Sequence, residues 1–152
     1  MTKTQFLLLF LVAIPLVAVV LVNVVSKDYS SLLGKITIIL PLFFLINYLS
    51  LLDSYLNNEK NSLILLSMSR DLVIGLTVAP ISLSFIALLA FVWLGVACYS
   101  NKYFLISQDK KILQFQIFLI LSVEFITLVI LSKNLISIFL FHQSLIFCLY
   151  FF

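Results

Sequence analysis

One carboxylate of this chain stands where carboxylates are expensive. Glu124 lies inside the apolar run 112–131, and a charged acid at the centre of a membrane helix costs roughly 2.5–3.5 kcal/mol on insertion scales. A group kept against that cost has a partner or a task. Either it takes up and releases a proton on a hydrated path, or it sits protonated in a hydrogen bond to a neighbouring helix. Its own helix offers Thr127 one turn on but no cation within a turn, so an ion-pair partner has to come from another helix or another chain. The lone histidine, His142, stands beside Gln143 in the last apolar run. An imidazole titrates near neutrality and can relay protons; the plainer role is a buried hydrogen bond. His142 has no companion His and no Cys within one helical turn, so neither a metal nor a haem cofactor is expected. Lys133 falls in the polar turn Ser132-Lys133-Asn134. Cys98 and Cys148 are far apart and read as small core residues. There is no nucleophile-and-base pair, Gly-rich phosphate loop or thiolate cluster, so no catalytic site is expected on this chain alone.

The elements that must position these groups follow from composition. Of 152 residues 64% are hydrophobic and 10% charged, against roughly 45–50% and 25% in a soluble domain. A globular core of this size cannot hide that much apolar surface, whereas a bilayer accepts it in helices of about 20 residues that satisfy their own backbone. Membrane lipids are therefore the implied surroundings, and a soluble enzyme is excluded. The net charge of +3 is spread thinly, with no run dense enough to bind nucleic acid.

Five apolar stretches, 6–25, 32–52, 72–97, 112–131 and 135–152, predict an all-α, polytopic transmembrane bundle forming a single domain. The breaks at 26–31, 53–71, 98–111 and 132–134 read as surface loops. The last is a tight turn, which makes the final two stretches an antiparallel hairpin. The first stretch lacks a small-x-small cleavage site and is too long for an ordinary signal sequence, so it is expected to remain.

Basic residues alternate between Lys3, Lys60, Arg70 and Lys133 on one side and Lys27, Lys35, Lys102, Lys110 and Lys111 on the other, which leaves the orientation open. Pro15, Pro41 and Pro80 fall inside expected helices and predict kinks near Leu11, Thr37 and Leu76. Asn23, Asn47, Gln114 and Gln116 are neutral amides suited to bonding between helices. Lys35 can snorkel to the interface as an anchor. Abundant Phe, Ile, Leu, Tyr, Asn and Lys, with three Gly, three Pro and one Trp, hint at an AT-rich, organellar gene.

From Leu113 the chain reads LQFQIFLILSVEFITLVILSKNLISIFLFHQSLIFCLYFF. Gln114-Phe115 open an aliphatic run containing Ser122; Ser132, Asn134 and Leu135 form a turn, and Gln143-Ser144-Leu145 follow. This pattern resembles the fourth and fifth helices of NADH dehydrogenase subunit 2, an antiporter-like membrane-arm subunit of respiratory complex I. In that family a Ser-x-Asp-Leu turn precedes a helix carrying a Glu and then Gln-Ser-Leu, and the spacing from Ser122 to Leu135 needs no gap. The resemblance covers about the last 40 residues in motif and the three earlier stretches in architecture.

It departs at the acid: an ungapped comparison puts Gln143 at the family's membrane Glu, and matching Gln-Ser-Leu puts Phe141 there. The family's central lysines and broken helices also belong to later helices than these. The resemblance thus implies the amino-terminal part of a split subunit in the mitochondrial inner membrane, with a companion chain carrying the rest and other complex I membrane-arm subunits as partners. It implies a role in coupling quinone reduction, performed elsewhere in the assembly, to proton translocation. The residues to probe for a proton path are Glu124 and Gln143, then Lys133 and His142. Three other readings stay open: a fragment of the sibling antiporter-like subunit 4 or 5; a structural membrane subunit of another mitochondrial respiratory or ATP synthase complex; and a small transporter, which would normally show the internal symmetry that is missing here.

Overall fold

Residues 3–25, 30–57, 62–67, 73–107 and 112–150 are described by a computed structural model. Five helices follow in order: α1 (Lys3–Val25), α2 (Ser30–Leu56), α3 (Pro80–Ser107), α4 (Ile112–Leu131) and α5 (Leu135–Tyr150). Between α2 and α3 an antiparallel hairpin joins β1 (Ser62–Ser67) to β2 (Val73–Thr77). In hydrocarbon every backbone N–H and C=O must be paired within the protein, which is why apolar runs of this length become helices. Each of α1 to α4 holds a stretch long and apolar enough to cross a bilayer. At about 1.5 Å per residue, α4 alone is about 30 Å long, the thickness of the hydrocarbon core. The described part of α5 has 16 residues. The chain is an all-α, multi-pass membrane protein.

The start of α3 corrects the sequence reading, which opened this helix at residue 72 and placed Pro80 inside it. Residues Val73–Thr77 are a strand, and Pro80 is the first helical residue. The residue before a proline is pushed out of the α region, so Ala79 becomes the cap. Pro80 then takes the one position where a missing N–H costs nothing. The Leu83 N–H donates to the Ala79 carbonyl at 3.0 Å, and Ser82 Oγ accepts from the Ala79 N–H at 2.8 Å. Upstream, the β-branched Val73, Ile74 and Thr77 favour a strand, so Leu76 lies in β2 and not at a helix kink. Pro15 and Pro41 do lie within α1 and α2, which run unbroken through them.

Two expected loops are shorter than the sequence suggested. In the segment 53–71, α2 continues to Leu56 and β1 occupies Ser62–Ser67; in 98–111, α3 continues to Ser107. Lys27, Glu59, Lys60, Arg70, Asp71, Lys110 and Lys111 lie outside the described residues.

The hairpin pairs Ser62 with Thr77, Leu63 with Leu76 and Ile64 with Gly75, then shifts so that Leu66 faces Ile74. Leu65 is therefore the extra residue of a bulge, which bends the strand. This small sheet is tied to one end of the bundle. Gln5 Nε2 donates to the Ser62 carbonyl at 3.1 Å, the Lys133 N–H to the Gly75 carbonyl at 2.9 Å, and Asn134 Nδ2 to the Val73 carbonyl at 2.6 Å. Lys3 Nζ and Asp53 Oδ2, 3.8 Å apart, join the start of α1 to the end of α2 at the same end. Both side chains are largely exposed, so that pair adds little stability.

The helices pack as a ring in which α1 meets α2 and α4, and α3 meets α2 and α4. α5 lies outside the ring, against α4 and β2. The ring's interior holds Leu8, Leu11, Ala18, Phe44, Ile86, Trp93, Ile120 and Leu131 in one cluster. Within it the rings of Phe44 and Trp93 meet edge to face, centroids 5.5 Å apart, a favourable aromatic geometry. Between 28% and 39% of each of the four long apolar windows is buried, so the described residues leave most of these four helices uncovered. Side-chain packing and bonds between helices, not a further gain in hydrophobic burial, must hold the ring together.

Candidate functional site

α4 forms the wall shared by the ring and α5. Its buried residues, Gln116, Ile120, Val123, Glu124, Thr127, Leu128 and Leu131, recur at helical spacing and make one inward stripe. Glu124 is 1% exposed. By helix rise it lies about 18 Å from the Ile112 end and about 10 Å from the Leu131 end, well within the hydrocarbon.

Neither Glu124 Oε1 nor Oε2 has a hydrogen-bond partner among the described residues. The hydroxyl of Thr127, one turn on, donates to the Val123 carbonyl at 2.8 Å, so its proton is used within α4. α1, which packs directly on α4, buries Leu8, Leu11, Ile14, Pro15, Ala18 and Val22, none able to donate from a side chain, and its buried hydroxyl, Thr4, lies in its first turn at the hairpin end. Glu124 is the only acidic or basic side chain in the core of the described residues. Among the described residues it has no counter-ion as a carboxylate and no acceptor as a neutral acid, either of which a buried acid requires. Either form calls for water or for a group beyond the described residues.

Ser54 Oγ of α2 is the other buried polar side-chain atom without a partner among the described residues, whereas several polar groups near the end of the bundle away from the hairpin are satisfied. Thr37 of α2 and Asn101 of α3 exchange hydrogen bonds, Thr37 Oγ1 donating to Asn101 Oδ1 at 3.1 Å and Asn101 Nδ2 donating to Thr37 Oγ1 at 2.9 Å. Gln116 Nε2 donates to Ser100 Oγ at 3.4 Å, linking α4 to α3. Gln116 thus bonds between helices as its type suggested. Asn47 does not: its Nδ2 donates to the Phe43 carbonyl of its own helix at 3.0 Å. Gln114 is exposed, and the Asn23 side chain lies outside the described set. The Thr37–Asn101 pair was missed because the sequence reading ended the third helix at residue 97. The apolar run Tyr103-Phe104-Leu105-Ile106 just beyond Asn101 was the signal for a longer helix.

The four expected site residues are not brought together. Gln143 is about 12 Å along α5 by helix rise, a depth similar to that of Glu124, but it faces a different side of α4. His142 and Gln143 are both exposed on α5, so no helix among the described residues buries His142. Lys133 is exposed at the α4–α5 turn, against the hairpin. Lys35 is exposed in α2, as an interfacial anchor requires. Cys98 corrects its reading as a core residue. It shares the outer face of α3 with Phe91, Gly95 and Tyr99, whereas Cys148 is buried. No group of three or more His, Cys, Asp or Glu able to hold a metal occurs among the described residues.

An open groove of about 390 Å³ near the hairpin is lined by Thr77, Ala79, Ser82, Phe85, Ile130 and Ser132 among others. It stops more than one turn short of Glu124.

No protein-family model matches the chain, and no curated protein matches it. Its fold is similar to part of a chain of the membrane-bound sulfane sulfur reductase, an archaeal respiratory membrane complex. The TM-score is 0.75 and the identity 18%, over 93% of this chain. The match spans 28% of that chain. At this identity the likeness concerns the fold.

Proposed function

We propose that this chain is a membrane-arm component of a respiratory complex of the complex I type, contributing the amino-terminal helices of an antiporter-like subunit 2 in the mitochondrial inner membrane. The observation that carries the reading is the fold likeness over 93% of the chain to a chain of a respiratory membrane complex. The choice of subunit 2 is supported by the ungapped spacing from Ser122 to Leu135 and by Gln143-Ser144-Leu145. In this reading the lysines of the family's proton path belong to helices other than the five described here. Redox chemistry and quinone belong to other subunits.

Glu124 is the chain's candidate proton carrier, supported by its burial and by two carboxylate oxygens free of partners among the described residues. Gln143, His142 and Lys133 are secondary candidates, all three on exposed positions.

The test has two parts. Mass analysis of respiratory complexes separated from the source membranes should find the chain with NADH oxidation activity. Recovery with ATP hydrolysis would replace this reading with the second one, a structural subunit of another complex, which the absence of an acid at Phe141 and Gln143 favours. In the assembled complex, Glu124→Gln should lower the protons moved per electron. Unchanged coupling with intact assembly would make Glu124 structural.

A further inference from the structure

Pro15 interrupts the backbone bonding of α1 near its middle. Proline has no N–H, so the Leu11 carbonyl, one turn earlier, loses the donor that a regular helix would give it. Residues four apart lie on one helix face, and Leu11 and Pro15 are both buried, so this carbonyl opens into the bundle and away from lipid. A carbonyl freed inside a membrane is satisfied by a neighbouring helix, by a hydroxyl side chain or by an ordered water. The buried hydroxyl of α1, Thr4, is about 10 Å further towards the hairpin by helix rise.

Glu124 stands at a matching depth on the helix that packs against α1. α1 begins and α4 ends at the hairpin, where Gln5 bonds to Ser62 and Lys133 to Gly75, so the two helices run antiparallel. By helix rise Leu11 lies about 12 Å from Lys3 and Glu124 about 10 Å from Leu131. A helical side chain leans back towards the start of its own helix, which for Glu124 is the direction that closes the difference. Their neighbours on the same inward stripes, Leu8, Ile120, Val123 and Leu128, are apolar and offer no alternative. Neither carboxylate oxygen is bonded within the described residues. What joins the two groups must therefore be small enough for a packed interior and able to donate to both, and water meets that description. One of its hydrogens goes to the Leu11 carbonyl and the other to a carboxyl oxygen. When the acid is neutral, its O–H donates back to the same water, which then makes about three bonds, the usual complement of a buried water.

We propose that a single buried water bridges Glu124 of α4 to the Leu11 carbonyl of α1, and that Pro15 makes this site by freeing that carbonyl. Pro15 is then a positioning residue for the acid. The site rests on the packing of α1 against α4, whichever complex the chain serves. The bridge lessens the cost of burying the acid without cancelling it, so an apolar residue at 124 remains the more stable choice.

Glu59 and Glu124 are the chain's two glutamates, so carbon-13 in the glutamate carboxyl gives two signals, and Glu124→Gln identifies which belongs to Glu124. Solid-state NMR on the full chain in lipid bilayers then measures magnetisation transfer from water protons to that carbon. Transfer should be strong in the unaltered chain. Pro15→Ala should lose most of it, because an N–H at position 15 takes the Leu11 carbonyl back, whereas Pro41→Ala, the same change in α2, should leave it as it was. No transfer to Glu124, or transfer undiminished by Pro15→Ala, would overturn the proposal. Restoring a helical N–H favours the helix, so this variant is not expected to misfold. With the label on the Leu11 carbonyl instead, Glu124→Leu should abolish the water contact there; a contact that persists would show water held without the acid and would also overturn the bridge. Proton movement is tested separately by Glu124→Gln in the assembled complex, so the water site and the proton-carrier reading can each fail alone.

Discussion

At the scale of single residues, Glu124 and the Thr37–Asn101 pair are opposite cases of a polar group in the membrane. The pair gives each of its members a partner on a neighbouring helix; the acid has none among the described residues. Removing an unsatisfied buried group while keeping its volume should stabilise the chain when it stands alone. Glu124→Leu is therefore expected to raise the stability of the detergent-solubilised chain by about 1–3 kcal/mol, measured by denaturant or thermal unfolding, whatever it does to the proton movement proposed for the assembled complex. A loss of stability would mean that the carboxyl group has an intramolecular partner. For the pair, a double-mutant cycle of Thr37→Val and Asn101→Leu should give a coupling of about 0.6–1.7 kcal/mol, and a coupling near zero would show that the two bonds do no holding. The sequence made Glu124 visible, because an acid in an aliphatic run needs no structure to be noticed. It did not disclose the lack of a partner, since that depends on which side chains α1 turns inward.

At the scale of elements, the helices were legible and the hairpin was not. A long apolar run predicts a helix in lipid almost regardless of residue type, but residues 72–79 are just as apolar as the helix that follows them. What decides their structure is the Ala79-Pro80 step and the β-branched residues before it, both visible in the sequence yet outweighed there by hydropathy. The hairpin's attachment also depends on particular atoms. Asn134 caps α5 through Oδ1, which accepts from the Ser137 N–H at 3.2 Å, while its Nδ2 holds β2. Asn134→Ala should cost about 0.5–2 kcal/mol as the loss of a cap and should also speed amide exchange in β2, the signature of a strand released from the turn. Gly75 is a second fixing point, because a Cβ there would lie 3.1 Å from the Leu63 carbonyl oxygen and 3.4 Å from Lys133 Cδ. Gly75→Val should therefore raise protease sensitivity between α2 and α3. Gly95→Ala, where a Cβ meets nothing within 4 Å, should leave it unchanged.

At the scale of the whole molecule, the hairpin ties together the helix ends that share one membrane surface. Counting lysines and arginines could not orient the chain, but the contacts of β1 and β2 gather the start of α1, the end of α2 and the α4–α5 turn at one end of the bundle. Lys3 and Lys133 thus share a membrane surface, and Lys102, near the far end of α3, belongs to the other. In a version without native cysteines, single cysteines at 3 and 133 should react with an impermeant thiol reagent added to the same side of sealed membranes, and a cysteine at 102 only from the opposite side. The arrangement is a strict consequence of four crossings between α1 and the α4–α5 turn, so it checks the helix count as well as the hairpin. Labelling of 3 and 133 from opposite sides would require an odd number of crossings. One of the first four helices would then have to leave the membrane, and with it the ring that encloses Glu124.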